Sequence, residues 1–429
     1  MAKTFRSYVP EQDLLLPPSL RDWLPEGHLA FFVSDLIDQL DLSGITAGYE
    51  EEARGYPPYH PVMMTKLLVY AYCVGVFSSR KMQRRLVEDI AFRVLAAGNA
   101  PDFRTIADFR KRHLLALQGL FEQVLRVAGV AGAARVGRVA VDGTKIKANA
   151  SKHKAMSYDR LPEKQRQLRE EVRQLLAQAE AADAADDATF GPDQRGDELP
   201  AELQRRESRL ARIREATRAL KARAQAEAAA AGEAPETATP KPKSQYNFTD
   251  PESRIMKSPD GFVQAYNAQV AVDTWQLIVG QAVTQETNDK RQLLPMIATI
   301  VQQSGEMPPQ LLADAGYCSD ENLAAIAGLP IDAYISTRKQ KHGERPGPCP
   351  RGPLPAAATR VDRMSRKLLT RAGAAVYARR KAIVEPVIGQ IKAARGFRAF
   401  LLRGLTNVQA EWSLVCTTHN ILKLYRLCG

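Results

Sequence analysis

Two aspartates stand where a carboxylate can take part in a reaction. Asp142 follows the apolar run VAV and precedes Gly143, and Asp314 follows the apolar run LLA. Such runs predict strands, so both residues are expected at strand ends, where the loops of an α/β sheet bind ligands. An aspartate before a glycine is more often a turn residue, so neither position identifies a site by itself.

Glu385 is the third candidate, and it lies in a segment of helical character. Lys381 stands four residues before it and Lys392 seven residues after it, so the three share one face of a helix. Pro386 disfavours the helical conformation in the preceding residue, which predicts Glu385 at a helix start or a kink. Taken alone, Glu385 is a solvated helix residue.

Three carboxylates that converge from two strands and a helix suit phosphodiester chemistry. Mg²⁺ prefers carboxylate and water oxygens and keeps coordination positions open for a substrate phosphate. In a two-metal site one cation activates the attacking oxygen and the other stabilises the leaving oxygen. Asp142, Asp314 and Glu385 are therefore candidate ligands of Mg²⁺ or Mn²⁺.

The charge of the chain indicates a polyanionic partner. Formal net charge is +12 over 429 residues, and the segment 360–429 holds 14 Lys and Arg against three acidic residues, so it carries +11 of that total. Clustered charge of this sign supplies phosphate contacts, which favours nucleic acid. No apolar run approaches the roughly 18 residues that span a bilayer, and the first residues do not form a signal peptide, so we expect no membrane partner and a cytoplasmic location.

The cysteines argue against two other classes of protein. There are five, they are scattered, and no two have CxxC spacing. Neither a disulfide framework nor a structural zinc site is expected from this pattern.

The sequence pattern changes several times along the chain. Residues 1–130 have apolar positions at three- and four-residue steps, which predicts helices, and 78–113 is either a helix-turn-helix or plain helical packing. Strand patterns begin near residue 136, and an Ala-, Glu- and Arg-rich block at about 155–245 predicts a helical or partly disordered insertion. Strands and helices then alternate, which predicts an α/β core with a mixed sheet.

Several stretches resemble insertion-sequence transposases with a ribonuclease-H-like core. The three acidic motifs of that group resemble AVDGTKIKANAS, LLADAGYCS and YARRKAIVEPVIGQIKAARGFRAFLLRGL. Its N-terminal region resembles YVPEQDLLLPPSLRDWLPEGHLAFFVSDLIDQLDLS and the stretch that begins YHPVMMTKLLVYAYCVGVF. The resemblance covers most of the chain outside the insertion.

The resemblance implies a DDE triad of Asp142, Asp314 and Glu385 in a bacterial, nucleoid-associated enzyme. It implies binding to terminal inverted repeats and target sites in double-stranded DNA, cleavage and strand transfer with Mg²⁺ or Mn²⁺, and a homodimer on DNA. It also implies a helical DNA-binding domain, 1–130, before a ribonuclease-H-like catalytic domain, 131–429, whose mixed sheet and flanking helices the insertion interrupts.

The resemblance further implies DNA contacts around the triad. In the family pattern a Tyr and an Arg precede the Glu, and a basic residue follows it by seven positions, where Lys392 fits. Tyr377 and Arg380 each stand one residue out of register, and Lys381 occupies the Arg position. The expected DNA contacts are Lys145, Lys147, Tyr377, Arg380, Lys381, Lys392, Arg395, Arg398 and Arg403.

Two other functions remain open on the sequence. One is a nuclease built on the same core, against which the additional N-terminal region and the long C-terminal match argue. The other is a non-catalytic DNA-binding protein derived from a transposase, against which the presence of all three acidic residues argues.

Overall fold

The computed structural model describes residues 19–50, 57–190, 201–258, 261–338 and 347–428. Within these ranges a helical region precedes a mixed sheet with flanking helices, and a pair of long helices lies between elements of the sheet region. The α/β core and the helical insertion expected from the sequence are confirmed.

The described part of the chain before residue 131 is helical. Its helices are α1 Leu29–Asp38, α2 Ser43–Glu50, α3 Pro61–Cys73, α4 Ser79–Glu88, α5 Ile90–Leu95, α6 Phe103–Arg112 and α7 Leu114–Val130. Pro61 occupies the first turn of α3, where its missing N–H costs no hydrogen bond. Asp102 caps α6 by accepting from the backbone N–H groups of Arg104 and Thr105. Residues 78–113 thus form three helices, and their binding to DNA as a helix-turn-helix stays a prediction.

The central strand of the sheet is antiparallel to one neighbour and parallel to the other. The strands are β1 Arg138–Lys147, β2 Ala155–Ser157, β3 Gln245–Asn247, β4 Arg254–Ser258, β5 Gly261–Val272, β6 Ile278–Thr284, β7 Gln310–Ala313 and β8 Asp332–Ile335. The order is β4-β5-β1-β7-β8, and β6 also pairs with β5. β1 is antiparallel to β5 and parallel to β7, which is parallel to β8.

The C-terminal helix joins the sheet to the N-terminal helices. The later helices are α8 Leu161–Phe190, α9 Ala201–Ala230, α10 Leu293–Ser304, α11 Asp320–Ala327, α12 Arg360–Leu369, α13 Arg371–Gly389 and α14 Leu405–Cys428. A π-helical turn, Gln390–Ala394, continues α13. α14 packs against α3, α7 and β6, and its Trp412 is fully buried. Helical region and sheet therefore share one hydrophobic core.

The insertion has a small core of its own. Apolar side chains of α8 and α9 pack with Tyr246 of β3, and the buried ones are Leu161, Leu168, Leu210, Ile213, Ala216, Leu220 and Tyr246. At its base β2 and β3 pair antiparallel, with Ser157 opposite Gln245. α8 and α9 therefore extend from the two-stranded sheet of β2 and β3, beside the main sheet.

In the described ranges, no helix combines the length and the apolar character needed to cross a bilayer.

Candidate active site

The parallel pairing of β1 with β7 brings the two aspartates together. Its register ends at Val141 opposite Ala313, so Asp142 and Asp314 follow directly on neighbouring strands. Asp314 then turns the chain, because its side chain accepts from the backbone N–H of Gly316 at 2.8 Å. The prediction that Asp314 stands at a strand end is confirmed.

Asp142 lies inside its strand, so its predicted place at a strand end is wrong. β1 continues to Lys147 because its antiparallel pairing with β5 extends six residues beyond the last pair with β7. Asp142 is therefore at an end only with respect to the parallel half of the sheet. Its backbone is held on the β5 side opposite Val270.

Glu385 reaches the aspartates through a buried arginine. Arg380 Nη1 donates to Asp142 Oδ2 at 3.0 Å, and Arg380 Nη2 lies 3.8 Å from Glu385 Oε1. The side chain of Glu385 is 52% exposed, whereas that of Arg380 is 10% exposed. The predicted DNA contact Arg380 thus lies within the acidic site and links two of its members.

Glu385 was predicted at a helix start or a kink; it lies within α13, so the helix start is wrong. Pro386 is inside the helix and has no N–H to donate to the carbonyl of Ala382. The side chain of Gln276 supplies the missing donor, since its Nε2 donates to Ala382 O at 3.0 Å. A tertiary contact therefore offsets a local preference that disfavours the helix.

The electrostatics of the site favour a bound cation. The pKa of Asp142 is raised to about 6, chiefly by burial; Arg380 opposes this shift, and the neighbouring Asp314 adds to it. Two carboxylates in a desolvated site repel one another when ionised, and a cation between them removes that repulsion.

The donor set fits a divalent metal in part. Paired carboxylates beside a solvent-accessible glutamate are the oxygen donors that Mg²⁺ and Mn²⁺ take. In the ranges that the structure describes, no three acidic, His or Cys side chains already stand as a ligand group. Asp142 and Asp314 follow the last parallel pair on neighbouring strands, and Glu385 is connected to Asp142 by their shared contact with Arg380.

Three of the expected DNA contacts are directed into the protein. Lys392 Nζ donates to Thr144 Oγ1 at 2.9 Å and to the carbonyl of Lys145 at 3.0 Å. Arg395 donates to the hydroxyl of Thr418 and to the carbonyl of Val415, and burial lowers its pKa to about 10. Lys145 Nζ lies 3.5 Å from Asp289. These contacts suit a supporting role better than a phosphate contact.

The other expected DNA contacts stay nearer the surface. Lys147, Lys381, Arg398 and Arg403 are exposed, and Tyr377 is half-buried beside Arg380. Backbone hydrogen bonds bring Lys147 and Arg398 together, since Lys147 N donates to Arg398 O at 3.3 Å and Phe400 N donates to Lys147 O at 2.8 Å.

One acidic residue beside the site was missed from the sequence. Asp289 follows Thr287 and Asn288 in the polar segment between β6 and α10. Its composition is that of an ordinary loop. It accepts from the buried amides of Asn267 and Gln269 on β5. No local signal marks it, because its surroundings form only when β1, β5 and this loop meet.

Two family profiles match the chain. The family described as Transposase DDE domain matches residues 236–421, and the family described as Transposase domain (DUF772) matches residues 18–112. Asp314 and Glu385 lie inside the first match, and Asp142 lies between the two. No curated protein and no solved structure matches the chain. The two matches together identify the chain as a transposase with a DDE domain.

Proposed function

We propose that the chain is the transposase of an insertion sequence, which cleaves DNA at terminal inverted repeats and joins the freed 3′ ends to a target. The observation that carries the proposal is the parallel pairing that ends at Val141 and Ala313, because it sets Asp142 beside Asp314. Glu385 joins this pair through its shared contact with Arg380.

Asp142, Asp314 and Glu385 are the proposed ligands of Mg²⁺ or Mn²⁺. A divalent cation bound there supplies Lewis acidity to the attacking and leaving oxygens of the phosphodiester. The protein contributes a fixed frame: Lys392 ties α13's π-helical continuation to Thr144, two residues beyond Asp142. That contact supports the strand that carries the first ligand.

A strand-transfer assay tests the proposed function. Duplexes carrying the element's own ends are incubated with supercoiled plasmid and either Mg²⁺, Mn²⁺ or EDTA. We expect nicked ends with free 3′-hydroxyls and a plasmid-joined product in both metals and neither in EDTA. Cleavage without a joined product would instead identify a nuclease. Binding of the ends with no cleavage in either metal would identify a non-catalytic DNA-binding protein.

We propose that an exposed basic rim, defined as Lys147, Arg398 and Arg403, contacts DNA phosphates beside the cut. These side chains lie where the segment after α13 runs along the end of β1, and Arg403 Nε also donates to Asn149 O at 2.9 Å. Like charge gathered at one place is self-repulsive unless a polyanion neutralises it. The carboxylate site lies on the same strand, so the rim has the charge and the position for a backbone contact.

Replacing one residue of the rim is expected to weaken all DNA binding alike. Phosphate contacts carry little sequence information, so Arg398→Ala should lower affinity for terminal-repeat and unrelated duplexes by a similar factor. The slope of log affinity against log salt should fall by about one. Fluorescence anisotropy over a salt series measures both quantities. Arg173→Ala, an exposed arginine paired with Glu170 on α8, is the control and should leave the slope unchanged.

Loss of preference for the terminal repeats in Arg398→Ala, with an unchanged salt slope, would contradict a phosphate contact. That result would mean that the rim reads bases.

We further propose that residues 1–130 recognise the terminal repeats and that a homodimer pairs the two ends in a bacterial cytoplasm, on the nucleoid. α4 supports the recognition role: Met82 and Leu86 anchor it in the core, while Arg80, Lys81 and Arg84 are exposed. Sedimentation of the protein with one end and with two ends measures the stoichiometry. A single protein copy bound to two paired ends would contradict the homodimer.

A further inference from the structure

Asp289 lies directly behind the strand that carries Asp142. Its Oδ1 accepts from Asn267 Nδ2 at 2.7 Å and from Gln269 Nε2 at 2.8 Å, and both donors are fully buried on β5. The same oxygen lies 3.5 Å from Lys145 Nζ. Lys145 and Asn267 are directly opposite in the pairing of β1 with β5, so one face of the sheet carries the whole group.

The backbone that follows each of the two aspartates packs closely against Asp289. A Cβ on Gly143 would lie 2.5 Å from Asp289 Oδ1, and a Cβ on Gly316 would lie 3.4 Å from Asp289 Oδ2. Gly143 follows Asp142, and Gly316 is the residue whose N–H holds the Asp314 carboxylate. Glycine at these two positions therefore leaves the space that Asp289 occupies.

A buried chain of hydrogen bonds extends from Asp289 to the turn after Asp314. The amide of Gln269 donates to Asp289 with its nitrogen and accepts from the hydroxyl of Tyr317 with its oxygen. Tyr317 is fully buried in the short 3₁₀ turn that Asp314 caps. Asp289 is thus connected to both aspartates of the site, on one side through Gly143 and on the other through Tyr317.

Lys145 is the positively charged residue of this group. Its side chain is 17% exposed, and among the described residues its ammonium has an ion pair with Asp289 but no hydrogen-bond acceptor in range. The charges of Asp142 and Asp314 also act on it. If Asp289 were neutral, this cation would compete directly with any metal for the field of the two aspartates.

We propose that Asp289 is a positioning residue of the cleavage site, which neutralises and holds Lys145 so that Asp142 and Asp314 remain free to bind a divalent metal. The inference rests on the proposed role of these two aspartates as ligands. Asp289 acts through Lys145 and through its packing against Gly143 and Gly316. It differs from a ligand in that its Oδ1 already accepts two hydrogen bonds and forms an ion pair with Lys145.

Binding of Mn²⁺ to the full-length protein without DNA tests this role. Free Mn²⁺ is measured by electron paramagnetic resonance for wild type, Asp289→Asn, Lys145→Gln and the double variant. Asn keeps an acceptor for Asn267 and Gln269 but loses the charge that balances Lys145. We expect Asp289→Asn to weaken Mn²⁺ binding about tenfold, and Lys145→Gln to restore most of that loss in the double variant.

Two further proteins separate this inference from the proposed function. Asp332→Asn, which removes a carboxylate paired with Lys367 at the far end of β8, is the matched control and should bind Mn²⁺ like wild type. Asp142→Asn reports on the ligand site itself and should lose most of the binding. If Asp142→Asn also binds like wild type, or if wild type binds no Mn²⁺, the proposed ligands are wrong and the role of Asp289 falls with them.

The other outcomes concern Asp289 alone. Unchanged Mn²⁺ affinity in Asp289→Asn, with weakened binding in Asp142→Asn, overturns the inference and leaves the function intact. Weakened affinity that Lys145→Gln does not restore also overturns it, since Asp289 would then act as a ligand or only through the fold. Thermal unfolding of each variant identifies the second of these cases by a lowered midpoint.

Discussion

Asp142→Asn, Asp314→Asn and Glu385→Gln are each expected to abolish strand cleavage and transfer while leaving DNA binding nearly unchanged. Each substitution keeps the shape of the side chain and removes one negatively charged oxygen ligand. Outer-sphere substitutions at metal sites already cost about 10- to 100-fold, so the loss of a ligand should exceed about a hundredfold. The strand-transfer assay measures the rate, and anisotropy at fixed salt measures the binding.

Asp320→Asn serves as the control, because Asp320 is an exposed carboxylate paired with Arg360 at the start of α11. It should cleave like wild type. A triad variant with wild-type turnover in Mg²⁺ would remove that residue from the catalytic set.

The Asp142→Asn variant should also be more stable than wild type above about pH 6 in EDTA. Burial raises the pKa of Asp142 to about 6 in the folded protein, above its value in the unfolded chain. A raised pKa means that stability is fully present below the unfolded value and is lost as pH rises through the folded value. Asn mimics the protonated form, so the gain is at most about 3 kcal/mol. The midpoints of thermal unfolding of the two proteins should diverge from about pH 4 to about pH 6 and stay apart up to about pH 8, and a difference that does not change with pH would contradict the shift.

Glu411→Ala is expected to destabilise the whole chain by about 3–5 kcal/mol. Glu411 is fully buried on α14, where its Oε2 accepts from the backbone N–H groups of Leu401 and Leu402 at 3.0 Å. Tyr72 donates its hydroxyl to Oε1 at 3.4 Å, and Arg110 donates to Tyr72 at 3.1 Å. The substitution leaves the Tyr72 hydroxyl and two backbone N–H groups without their acceptor, removes a negative charge that acts on the buried Arg110, and opens a cavity.

Urea unfolding followed by tryptophan fluorescence measures this loss. Glu411→Gln keeps an acceptor oxygen and the side-chain volume, so it should cost clearly less than the alanine variant. Glu88→Ala, at an exposed ion pair with Arg84, should change stability by no more than about 0.5 kcal/mol. Equal effects of the Glu411 and Glu88 substitutions would show that the buried network contributes nothing to the joint between α3, α6 and α14.

Local sequence predicted the strand-end position of Asp314, and for Asp142 it predicted the strand but not where that strand ends. A short apolar run before each residue predicts a strand, and two such strands in an α/β sheet place their following residues at one edge. The alternation of strands and helices likewise predicted the mixed sheet. The extent of β1 beyond Asp142 was not predictable in this way, because it depends on pairing with β5, more than a hundred residues later.

The direction of the basic side chains was the least predictable feature. Net charge predicts a partner for the segment 360–429, but it does not distinguish Arg398, which is exposed, from Arg380, which is buried against Asp142. That difference depends on which face of α13 packs on the sheet. Gln276 raises a similar difficulty: nothing in the local sequence connects its side chain to the carbonyl that Pro386 leaves free.

The pairing of Ser157 with Gln245 makes the helical insertion a replaceable module. The chain leaves and re-enters the catalytic core at two adjacent backbone positions, which the pairing of β2 with β3 holds together. The entropic cost of closing the intervening segment is therefore offset by this strand pair and not by the core. Segments of very different length can then connect Ser157 to Gln245 without moving β1 relative to β5. The same junction is the natural point at which to graft a foreign domain, for instance one that directs integration to a chosen DNA sequence.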